Sequence, residues 1–290
     1  MISTPNSHTK HFACQQCGAC CTQAPRILFS ELKHQSKFFL LQTTHEAVIS
    51  SSKNLLHKDI INHYETIAHT VMMPELEAAM FVFSGFIAIS LVSTGRCPKL
   101  LANGLCDIYS NRPTACVSAP LSLDKPESLQ YQSIEFYENR AASGWKCDFS
   151  EQAPLILKDG HYSSLITQKM MTTQLREVRF FTNQWLGFIK QCDEKRLQQH
   201  FKLLYQAASS GKTLLTDLIF SLQLAVSGEA LTETEATNIM QEQLQHAINL
   251  EAEAMKKKDK LDRPVTDLAR RLQLDYRKAL KQNIFENEMV

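Results

Sequence analysis

Apolar residues recur at helical spacing through much of this chain. Leu56, Ile60, Tyr64, Ile67 and Val71 predict an amphipathic helix within Lys53 to Val71, and Pro74 marks its end. From about residue 164 onward the pattern is helical without a break. Leu175, Val178, Phe181, Trp185, Phe188 and Ile189 form one stripe, and Leu197, Phe201 and Leu204 begin a second. Leu214, Leu215, Leu218, Leu222 and Ala225 make a third, ending near Gly228. Thr232-Glu233-Thr234-Glu235 is a capping box opening a helix that runs toward Met255. Pro264 suits the first turn of a last helix, with Val265, Leu268, Leu272, Tyr276 and Leu280 on its apolar face.

Extended structure is signalled only in short pieces. Residues 1–13 are polar and read as loose, Ala24 to Phe29 reads as a short extended segment, and Ser30 is placed to cap a following helix. Asn103-Gly104 between apolar residues predicts a two-residue hairpin, and Lys158-Asp159-Gly160-His161 a weaker turn. Ala78 to Val92 is the most apolar stretch, a buried strand or a buried helix. It falls short of the roughly 20 apolar residues that a membrane span needs. The fold class expected is mainly α with a small β-hairpin unit. Residues 1–160 form a cysteine-rich metal-binding domain and residues 161–290 a helical bundle.

Composition supports a folded chain: 44% of the 290 residues are hydrophobic and 21% charged. The formal net charge of +1 points to neither nucleic acid nor membrane. The basic excess between Lys256 and Lys281 reads as a solvated helical face. The start of the chain lacks the basic, then apolar, run of a secretion signal, so a reducing cytoplasm is expected.

The chemistry is concentrated in thiols. Eight of the nine cysteines precede residue 150: Cys14, Cys17, Cys20, Cys21, Cys97, Cys106, Cys116 and Cys147. The first four make a C-x2-C-x2-C-C run, with Gly18 supplying backbone freedom for the wrap. Thiolates are ligands for zinc, copper(I) and iron–sulfur clusters. Adjacent side chains diverge, so Cys20 and Cys21 do not easily serve one tetrahedral ion, and eight thiols suit two ions or a polynuclear cluster. Zinc and iron both stay open. Arg26, Arg96, Lys99 and Arg112 lie near the cysteines in sequence and are candidates to offset thiolate charge, Arg112 foremost. Cys192, on a helical stripe beside Ile189, reads as a core thiol. Histidines 57, 63 and 69 read as solvated.

Several familiar motifs fail. Gly211-Lys212-Thr213 has Gln206 where a phosphate loop needs glycine, and His45-Glu46 has Ile49 where a zinc protease needs its second histidine. The chain has no G-x-G-x-x-G and no C-x3-C-x2-C.

The cysteine run, followed by Ile27 and Glu31, Cys97-Pro98-x-Leu100, Cys106-x-Ile108-Tyr109-x2-Arg112-Pro113-x2-Cys116 and a late Cys147, resembles the CxxCxxCC family of zinc- or iron-chelating proteins. YkgJ-type cysteine-cluster proteins and flagellin lysine-N-methylase-like sequences are similar to it. The chain departs from the family pattern at Cys116-Val117-Ser118-Ala119-Pro120. It lacks the arginine that usually follows the seventh cysteine and the aromatic before the proline. The resemblance implies metal binding through the eight cysteines, with Arg112 and Tyr109 behind them. The helical C-terminal region is then a candidate surface for a protein partner. The methylase relatives imply an alternative, lysine N-methylation of a protein such as flagellin with S-adenosylmethionine as cofactor. Electron transfer or metal delivery is a third reading.

Overall fold

The computed structural model describes residues 9–21, 25–51, 55–74, 77–141, 144–192 and 194–285. Its framework is an antiparallel sheet that the helical half of the chain completes. Strands β2 (Arg26–Ile27), β3 (Leu41–Ser51), β4 (His69–Met73), β5 (Ala78–Ala88) and β8 (Leu214–Thr216) form it in the order β2-β5-β3-β8, with β4 on β5. A second sheet joins β1 (Lys10–His11), β6 (Leu155–Lys158) and β7 (His161–Tyr162). The turn between β6 and β7 puts Asp159 and Gly160 at positive φ, as its Asp-Gly sequence predicts. The helices α1 (Leu32–Gln35), α2 (Lys58–Ile67), α3 (Thr114–Ser118) and α4 (Gln130–Ala141) lie in the first half. The second half holds α5 (Leu165–Cys192), α6 (Glu194–Ser209), α7 (Leu218–Ser227), α8 (Glu233–Lys257) and α9 (Arg263–Lys281).

Of the Ala78 to Val92 stretch, Ala78–Ala88 is strand and Val92 opens a 3-10 turn. Met80, Val82, Phe86 and Ala88 enter the main core, whereas Phe81 and Phe83 pack with Tyr64, Ile67 and Val178 on the other face. Both faces of β5 are covered, which is why its sequence shows no alternation. Strand β3 buries a polar run behind Leu41. Its Gln42, Thr43, Thr44 and His45 are buried. Thr43 hydrogen bonds Ser221 (2.7 Å), and His45 bonds Ser84 (2.8 Å) and Thr216 (3.0 Å).

Several local expectations need correction. The helix over Lys53 to Val71 covers only Lys58–Ile67; Ala68 leaves the helical region, and residues 69–73 pair with the edge of β5. The third stripe is split, because Leu214–Thr216 extends the sheet beside β3 before Asp217 caps α7. Ser30 sits inside a 3-10 turn, Phe29–Glu31, and bonds Glu177 rather than capping a long helix. Lys10 and His11 are strand, while residues 1–8 lie outside the described residues. The loop at Asn103-Gly104 is wider than the two-residue hairpin expected, spanning residues 101–105, and its turn centres on residues 102 and 103. It has one bridge, Leu100 to Cys106, and a turn closed by Gly104 N–H to the Leu101 carbonyl (2.9 Å). Of the histidines read as solvated, only His57 is exposed; His63 and His69 are half-buried, His63 bonding the Leu123 carbonyl (2.8 Å) and His69 the Asn183 side-chain oxygen (3.2 Å). The Cys192 side chain lies outside the described residues.

The capping box is present: the Thr232 N–H donates to Glu235 and the Glu235 N–H to the Thr232 hydroxyl. Pro264 stands in the first turn of α9. Among the described residues, both halves of the chain contribute to one core. The main core runs from Ile27 to Phe285, and β8 from the second half pairs with β3 from the first. No helix among the described residues is long and apolar enough to cross a membrane.

Candidate metal centre

Three backbone contacts assemble the thiols. Strand β2 starts just after the cysteine run and pairs with the end of β5, Arg26 opposite Ile87. That register lays the exit of the run beside the exit of β5, and the Cys97 N–H donates to the Cys21 carbonyl (2.7 Å). Ala13 bridges Asp148 through two backbone hydrogen bonds of 2.8 and 3.0 Å, which sets Cys14 next to Cys147. The Lys146 N–H points at the Cys17 sulfur (3.5 Å). Residues far apart in sequence are thus docked by main chain, whatever their side chains do.

Gly18 is the joint. It has φ +69°, and a Cβ there would stand 2.7 Å from the Gly104 carbonyl and 2.7 Å from a Leu100 methyl. Only glycine lets the N-terminal loop close onto the Leu100–Cys106 loop. Elsewhere Glu31 fixes the short helix α3 that carries Cys116, and Gln35 donates to the Asn111 carbonyl (3.0 Å).

The result is one cavity of about 260 Å³ that all eight cysteines line. Phe39 and Ile108 supply apolar wall, and Arg26, Lys99 and Arg112 are its cations. Among the described residues lining it, there is no carboxylate and no imidazole. Soft sulfur donors with cationic neighbours fit zinc, iron or copper(I), and do not fit calcium or magnesium, which take oxygen. As packed, no three Cys, His, Asp or Glu side chains among the described residues stand close enough to hold an ion.

Burial and neighbouring thiols raise the pKa of four of the eight cysteines, Cys20, Cys97, Cys116 and Cys147. Cys20 is pushed far up, first by its hydrogen bond with Cys21, then by burial and the charge of Cys21. Burial, then the charges of Cys97, Cys106 and Cys20, push Cys116 up to about 12. Burial, then Cys17, Cys20 and Cys14, push Cys147 up to about 12. Burial also raises Cys97, opposed by a hydrogen bond from Lys99. Arg112 acts in the opposite sense, lowering both Cys20 and Cys116. A cation that displaces these protons relieves the mutual repulsion of the thiolates.

Residues 13–148 match the model of the CxxCxxCC family, described as a "putative zinc- or iron-chelating domain". This segment is a CxxCxxCC domain. No curated protein and no solved structure matches the chain. Metal binding is the function that the family description supports.

Within the CxxCxxCC domain, Arg112 and Tyr109 both line the cavity, the guanidinium lying 4.0 Å over the Tyr109 ring. Of the other cations expected near the thiols, Lys99 lines the cavity. Arg26 also lines it, but its guanidinium is committed to Glu46 (2.5 Å). Arg96 is exposed and is not among the cavity residues. Ala119 is part of the wall.

Sequence reading missed Tyr137 of α4. It lines the cavity and packs edge-on against Phe12 and Trp145, at 6.4 and 5.2 Å between centroids. Burial, then the charges of Cys20, Cys147, Cys116 and Cys21, raise its phenol to about 12. The available signal was an aromatic-rich helix, Phe136-Tyr137, ending shortly before Trp145 and Cys147.

The second half of the chain props the domain up. Gln243 of α8 accepts from the Leu41 N–H (2.6 Å) and donates to the Phe39 carbonyl (2.9 Å), behind the cavity wall. Asp262 accepts from the Ser93 N–H (2.8 Å) and its hydroxyl (2.5 Å), just before the loop that carries Cys97.

Proposed function

We propose that this protein binds zinc or iron through its eight-cysteine cluster, more than one ion per chain. The observation that carries this reading is the single cavity lined by all eight cysteines, drawn from four separate stretches of sequence. A sulfur-only donor set with Arg112 and Lys99 beside it suits a negatively charged thiolate centre. Bound there, the metal would supply a thiolate-ligated centre whose remaining chemistry depends on which ion is held. The chain's own residues prepare for it. Arg112, which already acts on Cys20 and Cys116, would offset the charge that ligation creates.

The test is elemental analysis of protein purified without oxygen. Zinc and iron together exceeding one atom per chain is the expected result. Less than one atom per chain overturns the reading.

A further inference from the structure

We propose that a cleft beside the thiols is a second ligand site, which takes a small uncharged molecule ending in a primary carboxamide. The cleft, of about 500 Å³, lies between the loop of residues 120–125 and the helices α4 and α5. Arg26, Ala115 and Tyr137 line both this cleft and the cysteine cavity, so the two share a wall. The proposal stands whichever ion the thiols hold.

Two buried side chains that line the cleft carry a polar atom with no hydrogen-bond partner among the described residues. One is Gln174 of α5, through its Oε1, and the other is Ser133 of α4, through its hydroxyl. The Gln174 amide nitrogen donates to the Met171 sulfur (3.7 Å), which leaves the carbonyl oxygen to accept. Buried polar atoms are seldom left without a partner, and a guest in the cleft can supply both. Gln174 accepts, the Ser133 hydroxyl donates, and a primary carboxamide offers an N–H and a carbonyl side by side.

Charge around the cleft favours a neutral guest. The Arg26 guanidinium is held by Glu46, and the Lys125 ammonium by Gln132 Oε1 (2.8 Å). Asp124, exposed, adds a carboxylate that repels an anion. Pro120, Leu121 and Phe136 give the rest of the guest apolar surface to pack on. The loop is set in advance by buried Gln130. It accepts from the Ser122 N–H (2.9 Å) and donates to the carbonyls of Ser122 (2.7 Å) and Lys125 (2.8 Å).

Benzamide and benzoate, titrated into the full chain and followed by saturation-transfer NMR, test the site. Benzamide should bind, and benzoate should bind at least about tenfold more weakly, because a carboxylate must be desolvated with both wall cations already held. Gln174→Met keeps the volume and removes the acceptor; it should weaken benzamide about fivefold, the scale of one lost neutral hydrogen bond. Ser133→Ala should do the same, and thermal denaturation checks that each variant folds. A measurement on the unaltered chain covers variants that fail to fold: nuclear Overhauser effects from the benzamide ring should fall on Leu121 and Phe136. No binding of benzamide, equal binding of benzoate, contacts elsewhere on the chain, or wild-type affinity in folded Gln174→Met overturns the site. None of these outcomes bears on the zinc or iron reading.

Discussion

One oxygen of Glu31 accepts two hydrogen bonds of 2.7 Å from Thr114, one from its backbone N–H and one from its hydroxyl. Thr114 opens the five-residue helix that carries Cys116. So short a helix has little intrinsic stability, and its first orphan N–H is satisfied by a carboxylate 83 residues earlier. The other Glu31 oxygen accepts from the Leu28 N–H (3.0 Å), so one side chain ties β2 to α3. Glu31→Gln keeps the shape and removes the charge. It should cost about 1–3 kcal/mol, the scale of a charge-assisted hydrogen bond. Urea denaturation of the metal-free protein measures this, and an unchanged midpoint would rule the tie out.

Gly18→Ala should be more damaging to the site than its size suggests. The substitution adds a strained left-handed φ and a clash with the Gly104 carbonyl. The conformational part alone is on the order of 1 kcal/mol, and the clash adds to it by opening the contact between the two loops. Metal retention under chelator challenge should fall although no ligand has been touched. Retention equal to wild type would show that the loops do not need this contact.

Arg112→Lys should weaken metal retention measurably, but less than Cys106→Ser. Lysine keeps the charge and loses both the planar fork and the stacking on Tyr109. Removal of a sulfur takes away a ligand outright. Competition with a coloured chelator ranks the two, and equal loss in both would contradict the supporting role given to Arg112.

Acid should destabilise the fold through His45 and His200, away from the thiols. Burial holds His200 near a pKa of about 4, and burial together with the charge of His200 holds His45 well below its usual value. Both are lowered in the folded state, so both contribute stability above pH 6.5, the unfolded value. That stability is lost as pH falls toward about 4. For His200 the loss by pH 4.5 should be on the order of 2 kcal/mol. Denaturation midpoints at pH 7 and pH 5 measure the slope, and His200→Gln should flatten it. An unchanged slope would place the acid sensitivity elsewhere.

The cysteine chemistry was legible in the sequence because it is written in residue type and spacing. A C-x2-C-x2-C-C run with four later cysteines restricts the metal classes before any fold is known. Helices α5, α8 and α9 were legible for a similar reason, since a one-sided apolar stripe and a local cap need only neighbours along the chain. What tertiary structure alone decided is the sheet and the joining of the site. The Gln42 to His45 run of strand β3 reads as polar, yet it is buried, with Ser84, Thr216 and Ser221 satisfying Thr43 and His45 from distant positions. Leu214 to Thr216 could have continued a helix, but the open edge of β3 offered backbone hydrogen bonds that no local pattern reveals. Tyr137 and Glu31 likewise acquire their roles from partners far along the chain. Periodicity reports which face of an element is apolar; which distant backbone or side chain will cover or satisfy it depends on long-range packing, and that packing sets the thiols around one cavity.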